Sequence, residues 1–119
     1  MEDVKLKKYK ESISKIYYNL FHKGRKIGKG WIRKKQSYIK KGMYLYIDSK
    51  YRQKGYGTIL YNLLISEISE RDISYIILKV NKKDNIAISF LEKQINKYED
   101  RFEILNKKIF IHTICEENI

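Results

Sequence analysis

The spacing of apolar positions changes character several times along the chain, and the changes mark its expected elements. Residues 1–12 (MEDVKLKKYKES) are polar without a sustained period and read as an N-terminal arm or a single helical turn. From Ser14 the pattern is that of strands. Residues 15–22 are rich in aromatic and apolar side chains and close on Lys23-Gly24-Arg25, a turn with a glycine free to take positive φ. Residues 26–33 are the expected hairpin partner, with Gly28 and Gly30 weakening the strand and pointing to a bulge. A third strand runs through Tyr38-Ile39 or starts after Gly42, and ends with Met43-Tyr-Leu-Tyr-Ile-Asp48.

The period then lengthens. Ile59, Leu60, Leu63, Leu64 and Ile68 fall on one helical stripe, which predicts a helix from Gly55 to about Arg71. Residues 75–80 (YIILKV) form a near-continuous apolar run, the pattern of a strand covered on both faces. Asp84 is placed to N-cap a second helix from 85 to about 95, where Ala87, Leu91 and Ile95 repeat at four-residue spacing with Phe90 alongside. Residues 102–105 and 109–114, separated by a polar Asn-Lys-Lys break, read as a closing hairpin. The expected order is β-β-β-α-β-α-β-β: one mixed α/β domain over residues 13–119, with no internal repeat, linker or low-complexity tail.

Composition bounds this picture. A chain of 119 residues suits one domain with a real core. No apolar run approaches the roughly 18–20 residues of a membrane span, and no membrane partner is expected. The start, Met-Glu-Asp-Val-Lys, lacks the apolar core of a signal peptide, so a cytoplasmic protein is the default. Cys115, the single cysteine, excludes an intramolecular disulfide and a cysteine-based metal cluster, and no metal is expected. The net charge is +12. Lys, Ile, Tyr and Asn, all with AT-rich codons, supply 59 of the 119 residues, so genomic composition accounts for part of the lysine excess. It does not account for the placement. Residues 1–42 carry 14 basic and 3 acidic side chains, net +11, against net +1 for the rest. Either an anionic partner or a solvated basic surface fits that third.

One segment carries candidate chemistry: Asp48-Ser-Lys-Tyr-Arg-Gln-Lys-Gly-Tyr-Gly-Thr58, between the third strand and the first helix. A helix start leaves about four backbone N–H groups without internal partners and adds roughly half a positive charge. Gly55 and Gly57 let a ligand approach the backbone, and Arg52 and Lys54 add positive charge. The pattern is that of a phosphate cradle. It lacks the Gly-Lys-Ser/Thr of a P-loop and the third glycine of a dinucleotide fingerprint. The plainer reading is a glycine-containing turn with basic solvated flanks. His22 and His112 are candidate general bases or solvated or packed histidines. Cys115 lacks a local His partner and reads as structural. Trp31 and the tyrosines read mostly as core or sheet-face residues. Interleaved with the basic residues of 5–41, Tyr17, Tyr18, Trp31 and Tyr38 also have the makings of a base-stacking surface.

Arg52-Gln-Lys-Gly-Tyr-Gly57 resembles the Gln/Arg-x-x-Gly-x-Gly/Ala pyrophosphate loop of the GCN5-related N-acetyltransferase (GNAT) family. Ile47-Asp-Ser-Lys-Tyr-Arg52 resembles that family's approach to the loop, and Ile77-Leu-Lys-Val80 its next strand. Asp84-Asn-Ile-Ala-Ile-Ser-Phe-Leu-Glu-Lys93 resembles the helix that follows, and Lys26-Ile-Gly-Lys-Gly-Trp31 more loosely an early strand. The resemblance covers about residues 26–105. It implies a mostly antiparallel sheet whose middle strands splay to admit acetyl-CoA, the co-substrate. The backbone N–H groups of Gln53, Lys54, Gly55, Tyr56, Gly57 and Thr58 would hold the pyrophosphate, with the Thr58 hydroxyl as a further donor. Arg52 would open the loop, and Lys54 would screen the adenosine phosphates. The backbone at Tyr46 and Ile47 would pair with the pantetheine arm like an added strand. Asp84 or Asn85 stands where the family's Asn lines the channel, with helix capping as the plainer role of Asp84.

Two departures qualify the resemblance. Leu91 occupies the position where the family commonly has the Tyr that protonates the leaving thiolate, and leucine has no proton to give. Only about a dozen residues precede the hairpin, where the family has a strand and two helices walling the acceptor site. The acceptor groove is therefore expected to be open, completed by a second subunit as in a homodimer, or shaped by a large substrate. The implied function is acetyl transfer to an amine on a macromolecular acceptor with an acidic surface or in a nucleic-acid complex, because +12 would repel a polyamine. The alternatives are a degenerate acetyltransferase fold acting as a non-catalytic binding module, and a nucleic-acid-binding protein using the basic first third.

Overall fold

The computed structural model of the chain describes residues 3–37, 40–71, 73, 75–81, 83–98 and 110–116. Four strands, β1 (Val4–Glu11), β2 (Lys15–His22), β3 (Arg25–Arg33) and β4 (Met43–Ile47), form an antiparallel meander in chain order. Alternation decides which face is covered. Ile16, Tyr18 and Leu20 of β2 and Ile32 of β3 are fully buried, and Met43 and Ile47 of β4 are buried beside them. Against that face lies α1 (Tyr56–Ser69), which buries Leu60, Tyr61, Leu64, Ile65 and Ile68. The buried stripe is thus rotated from the predicted one: Tyr61 and Ile65 enter the core, and Ile59 and Leu63 are only partly covered. Gly30 sets the distance, since a β-carbon there would sit 2.6 Å from the Tyr44 carbonyl and 3.0 Å from Leu64 of α1. The bulge expected near the glycines falls where Leu20 pairs with Gly28 and Phe21 with Lys26.

The second half is β5 (Tyr75–Asn81), α2 (Asn85–Tyr98) and β6 (Phe110–Glu116). Ile76, Ile77 and Leu78 are buried in succession, as the apolar run predicted. β6 pairs with β5 in parallel, so the connection between them, with α2, is a crossover. Of the expected closing hairpin, the first arm at 102–105 lies outside the described residues, as do Tyr38 and Ile39. None of the described helices is long and apolar enough to cross a membrane.

One expectation is overturned. Residues 4–11 are not an arm or a helical turn but the edge strand β1, with Val4 opposite His22 and Glu11 opposite Ile16. Pairing along β2 supplies the hydrogen bonds that the local pattern does not advertise, and Val4 and Leu6 pack against the core from one side. The sheet therefore begins at Val4, before residue 13.

The middle of the molecule is split. β4 and β5 share no ladder among the described residues; they belong to separate sheets. Beside the start of β4 the Gly42 N–H donates to the Ile77 carbonyl at 2.8 Å. The Ile77 N–H in turn donates to Gln36 Oε1 at 3.0 Å. Toward Ile47 the two strands run on unlinked, which is the splay that the resemblance implied.

Candidate functional site

The segment after β4 is built from its backbone outward. The Asp48 N–H donates to the Ile27 carbonyl at 2.9 Å, fixing the strand end to β3. A single 3-10 turn over Ser49–Tyr51 follows. Arg52 then folds back: its Nε donates to the Ile47 carbonyl at 2.7 Å, and its guanidinium lies 5.1 Å from the centre of the Tyr46 ring. Gln53 and Gly55 take φ of +61° and +89°, so two left-handed residues turn the chain into α1. For Gly55 this conformation costs nothing; for Gln53 it is strained.

Helix α1 starts with no side-chain cap and no acidic residue in its first turn. Its leading N–H groups therefore have no intrahelical partner and no carboxylate to satisfy them, the condition under which a helix start attracts an anion. Arg52, Gln53, Lys54 and Gly55 are exposed beside it. Gly57 is informative. A β-carbon there would meet only the Phe90 ring, at 3.5 and 3.8 Å, which is ordinary contact. Packing does not require a glycine at this position, and in a helix glycine is a liability. Thr58 Oγ1 accepts from Gln94 Nε2 at 3.1 Å, so the hydroxyl keeps its own proton to donate.

The loop leans on the β2–β3 hairpin. The Tyr56 hydroxyl lies 3.2 Å from His22 Nδ1, and Tyr51 meets the Tyr56 ring edge-on at 6.4 Å. Arg25 donates to the Tyr51 hydroxyl at 3.4 Å. That bond lowers the Tyr51 pKa and raises that of Arg25. His22 is thus engaged with a residue of the loop. His112 and Cys115 fall in β6, with side chains outside the described set.

Asp84 caps α2: its Oδ1 accepts from the Ala87 N–H at 3.0 Å. This is the plainer of its two roles, and Asn85 stands exposed beside it as the first residue of the helix. Leu91 is buried in the core cluster and offers nothing to a reacting group. The residue that sequence reasoning missed is Gln94. It is 1% exposed, its Nε2 ties α2 to Thr58, and its Oε1 has no hydrogen-bond partner. Within an amphipathic helix a glutamine reads as solvent-facing, and only its spacing from Leu91 hinted otherwise. Among the described residues no group of three or more His, Cys, Asp or Glu side chains could hold a metal ion.

Comparison with known proteins bears on this geometry. The sequence model of the acetyltransferase (GNAT) family matches residues 2–95, which span β1 through most of α2. Neither a curated protein nor a solved structure shows significant similarity to the chain.

Proposed function

The chain belongs to the GCN5-related N-acetyltransferase family, and on that premise we propose that it transfers an acetyl group from acetyl-CoA to an amine on a protein or other macromolecular acceptor. Acetyl-CoA supplies an activated thioester. The backbone N–H groups from Gln53 to Thr58 would hold its pyrophosphate, with the Thr58 hydroxyl adding a donor. Arg52, committed to the Ile47 carbonyl, would brace the loop rather than reach the phosphates. Lys54, exposed, would screen them. The unlinked stretch of β4 around Tyr46 and Ile47 would offer backbone groups to the pantetheine amides as a neighbouring strand would.

In the transfer itself the amine nitrogen attacks the thioester carbonyl and gives up a proton to a base, the C–S bond breaks, and the thiolate takes a proton. Leu91 has none to give, so water or another donor serves. The protein's contribution is chiefly positioning, together with strand N–H groups that polarise the carbonyl.

The observation that carries this reading is Gly57, a helical glycine that packing does not explain and that a phosphate cradle does. Calorimetric titration with acetyl-CoA and with CoA tests it. Micromolar binding is expected for the wild type and none for Gly57→Glu, whose side chain would fill the cradle and repel phosphate. Absence of binding in the wild type, or full binding in Gly57→Glu, would refute it. The burial of Leu91 favours a second reading, a fold that keeps the pocket without turnover. Tight acetyl-CoA binding with no release of CoA thiol in the presence of acidic proteins would assign the chain to that class.

A further inference from the structure

The face of the meander turned away from α1 has a composition of its own. Strand register sets its side chains in transverse rows. One row runs Lys10, Tyr17, Trp31, Tyr44 from β1 to β4, and the next runs Lys7, Asn19, Lys29, Tyr46. All eight side chains are half-buried or exposed, and neither row contains a carboxylate. The rings are arranged as supports. Trp31 and Tyr44 are stacked, 18° from parallel with centres 6.0 Å apart. Tyr9 lies 6.1 Å from Tyr17. Between these pairs opens a cleft of about 160 Å3, lined by Tyr9, Tyr17, Lys29, Gly30, Trp31 and Tyr44.

Charge and rings are interleaved at contact range. Lys10 lies 5.3 Å from the centre of the Tyr17 ring and Lys15 4.1 Å from that of Trp31. Arg33 also approaches Trp31, and Lys29 approaches Tyr46. Such contacts are worth little at an exposed site, roughly 0.5–1 kcal/mol. The long flexible lysines are therefore held near the rings without being locked there, ready to move to a phosphate when a base takes the ring face. At the centre of the second row the Asn19 Oδ1 is shielded from solvent yet has no hydrogen-bond partner.

We propose that this face binds single-stranded nucleic acid, with bases stacked on Tyr17, Trp31 and Tyr44 and the backbone followed by Lys7, Lys10 and Lys29. Paired rings favour this partner over an acidic polypeptide, which would meet the lysines but has no use for stacked supports. A duplex hides its base faces and would gain only the charge. The inference does not depend on acetyl transfer, and its test is run without acetyl-CoA.

Trp31 is the only tryptophan in the chain and reports directly on the face. The full chain is titrated with a dodecamer of deoxythymidine or of uridine, following Trp31 emission and the anisotropy of a labelled oligomer. Binding should quench Trp31 and weaken with salt, with a log–log slope of about −2 if three phosphates are neutralised. Tyr17→Leu, which keeps the reporter, should weaken binding roughly ten-fold. Lys29→Glu, at an exposed position, should also weaken it. Lys93→Glu, the same charge change on α2, should not. The proposal fails if Trp31 is not quenched, or if Lys29→Glu and Lys93→Glu behave alike. It also fails if a duplex or polyglutamate gives the same quenching at the same concentration.

Discussion

Gly55 and Gly57 stand two residues apart and are glycines for opposite reasons. Gly55 takes φ of +89°, where a β-carbon strains the backbone, so Gly55→Ala should cost about 1–2 kcal/mol of stability. Gly57 is helical and has room for a methyl group 3.5 Å from Phe90. Gly57→Ala should therefore leave the ligand-free protein as stable or about 0.5–1 kcal/mol more stable. The same change should weaken acetyl-CoA. Urea unfolding of both variants without ligand separates the two cases, and equal losses would mean that Gly57 is structural after all. The distinction was partly legible in the sequence. The glycine spacing and the basic flanks marked the loop, because glycine and charge announce themselves in one dimension. That Gln53 shares the left-handed conformation, and that Arg52 spends its Nε on the Ile47 carbonyl, are properties of the closed turn and had no signature.

At the scale of elements, β1 shows how an edge strand is held. Glu11 accepts from Lys34 at 2.6 Å and from Lys8 at 3.1 Å, joining β1 to the segment that follows β3. Lys34 first, and then Lys8, draw the Glu11 carboxyl down from its ordinary 4.5 to about 2. A carboxylate whose pKa is lower in the folded state stabilises it above the unfolded value and ceases to do so as it is protonated. The contribution is thus complete above pH 4.5 and is lost as the pH falls toward about 2. Because Glu11 is exposed, the effect should be small and weakened by salt. Amide protection along β1, measured against the intrinsic exchange rate at each pH, should fall over that window in the wild type, and Glu11→Gln should flatten the dependence. An unchanged profile in Glu11→Gln would remove the bridge as its cause. β1 is also the element least visible in the sequence. Lys5, Lys7, Lys8 and Lys10 break the apolar pattern, and lysines are what an edge strand carries to discourage pairing with other chains. The strands and helices whose own side chains fill the core were readable from periodicity, whereas β1 is held largely by a neighbour. Gln94 escaped for the converse reason, a polar residue drawn into the interior by the meeting of α2 with Thr58.

Among the described residues the two sheets are hydrogen-bonded to one another at one corner, and Gln36 is the joint. Its Nε2 donates to the Arg33 carbonyl at 2.8 Å and to that of Gly42 at 3.1 Å, while its Oε1 accepts from the Ile77 N–H at 3.0 Å. One side chain thereby fixes the end of β3, the start of β4 and the middle of β5. The angle at which β4 and β5 part is set here, at the end opposite the candidate cradle. Gln36→Leu keeps the volume and removes all three bonds. Ile77 is fully buried, so its N–H would be left unpaired at a cost of about 1–3 kcal/mol. The Gly42 N–H bond to the Ile77 carbonyl survives the substitution and should keep the two sheets together. The expected outcome is a folded protein with lower stability, faster exchange at the Ile77 amide, and weaker acetyl-CoA binding although no residue of the loop has changed. The Val4 end of β1 and the His22 end of β2, which pair with each other at the far end of the sheet from Arg33, should exchange as before. If Ile77 stays as protected as in the wild type, the joint lies elsewhere. If Ile77 exchanges faster but acetyl-CoA affinity is unchanged, the opening between β4 and β5 does not govern how the cofactor fits.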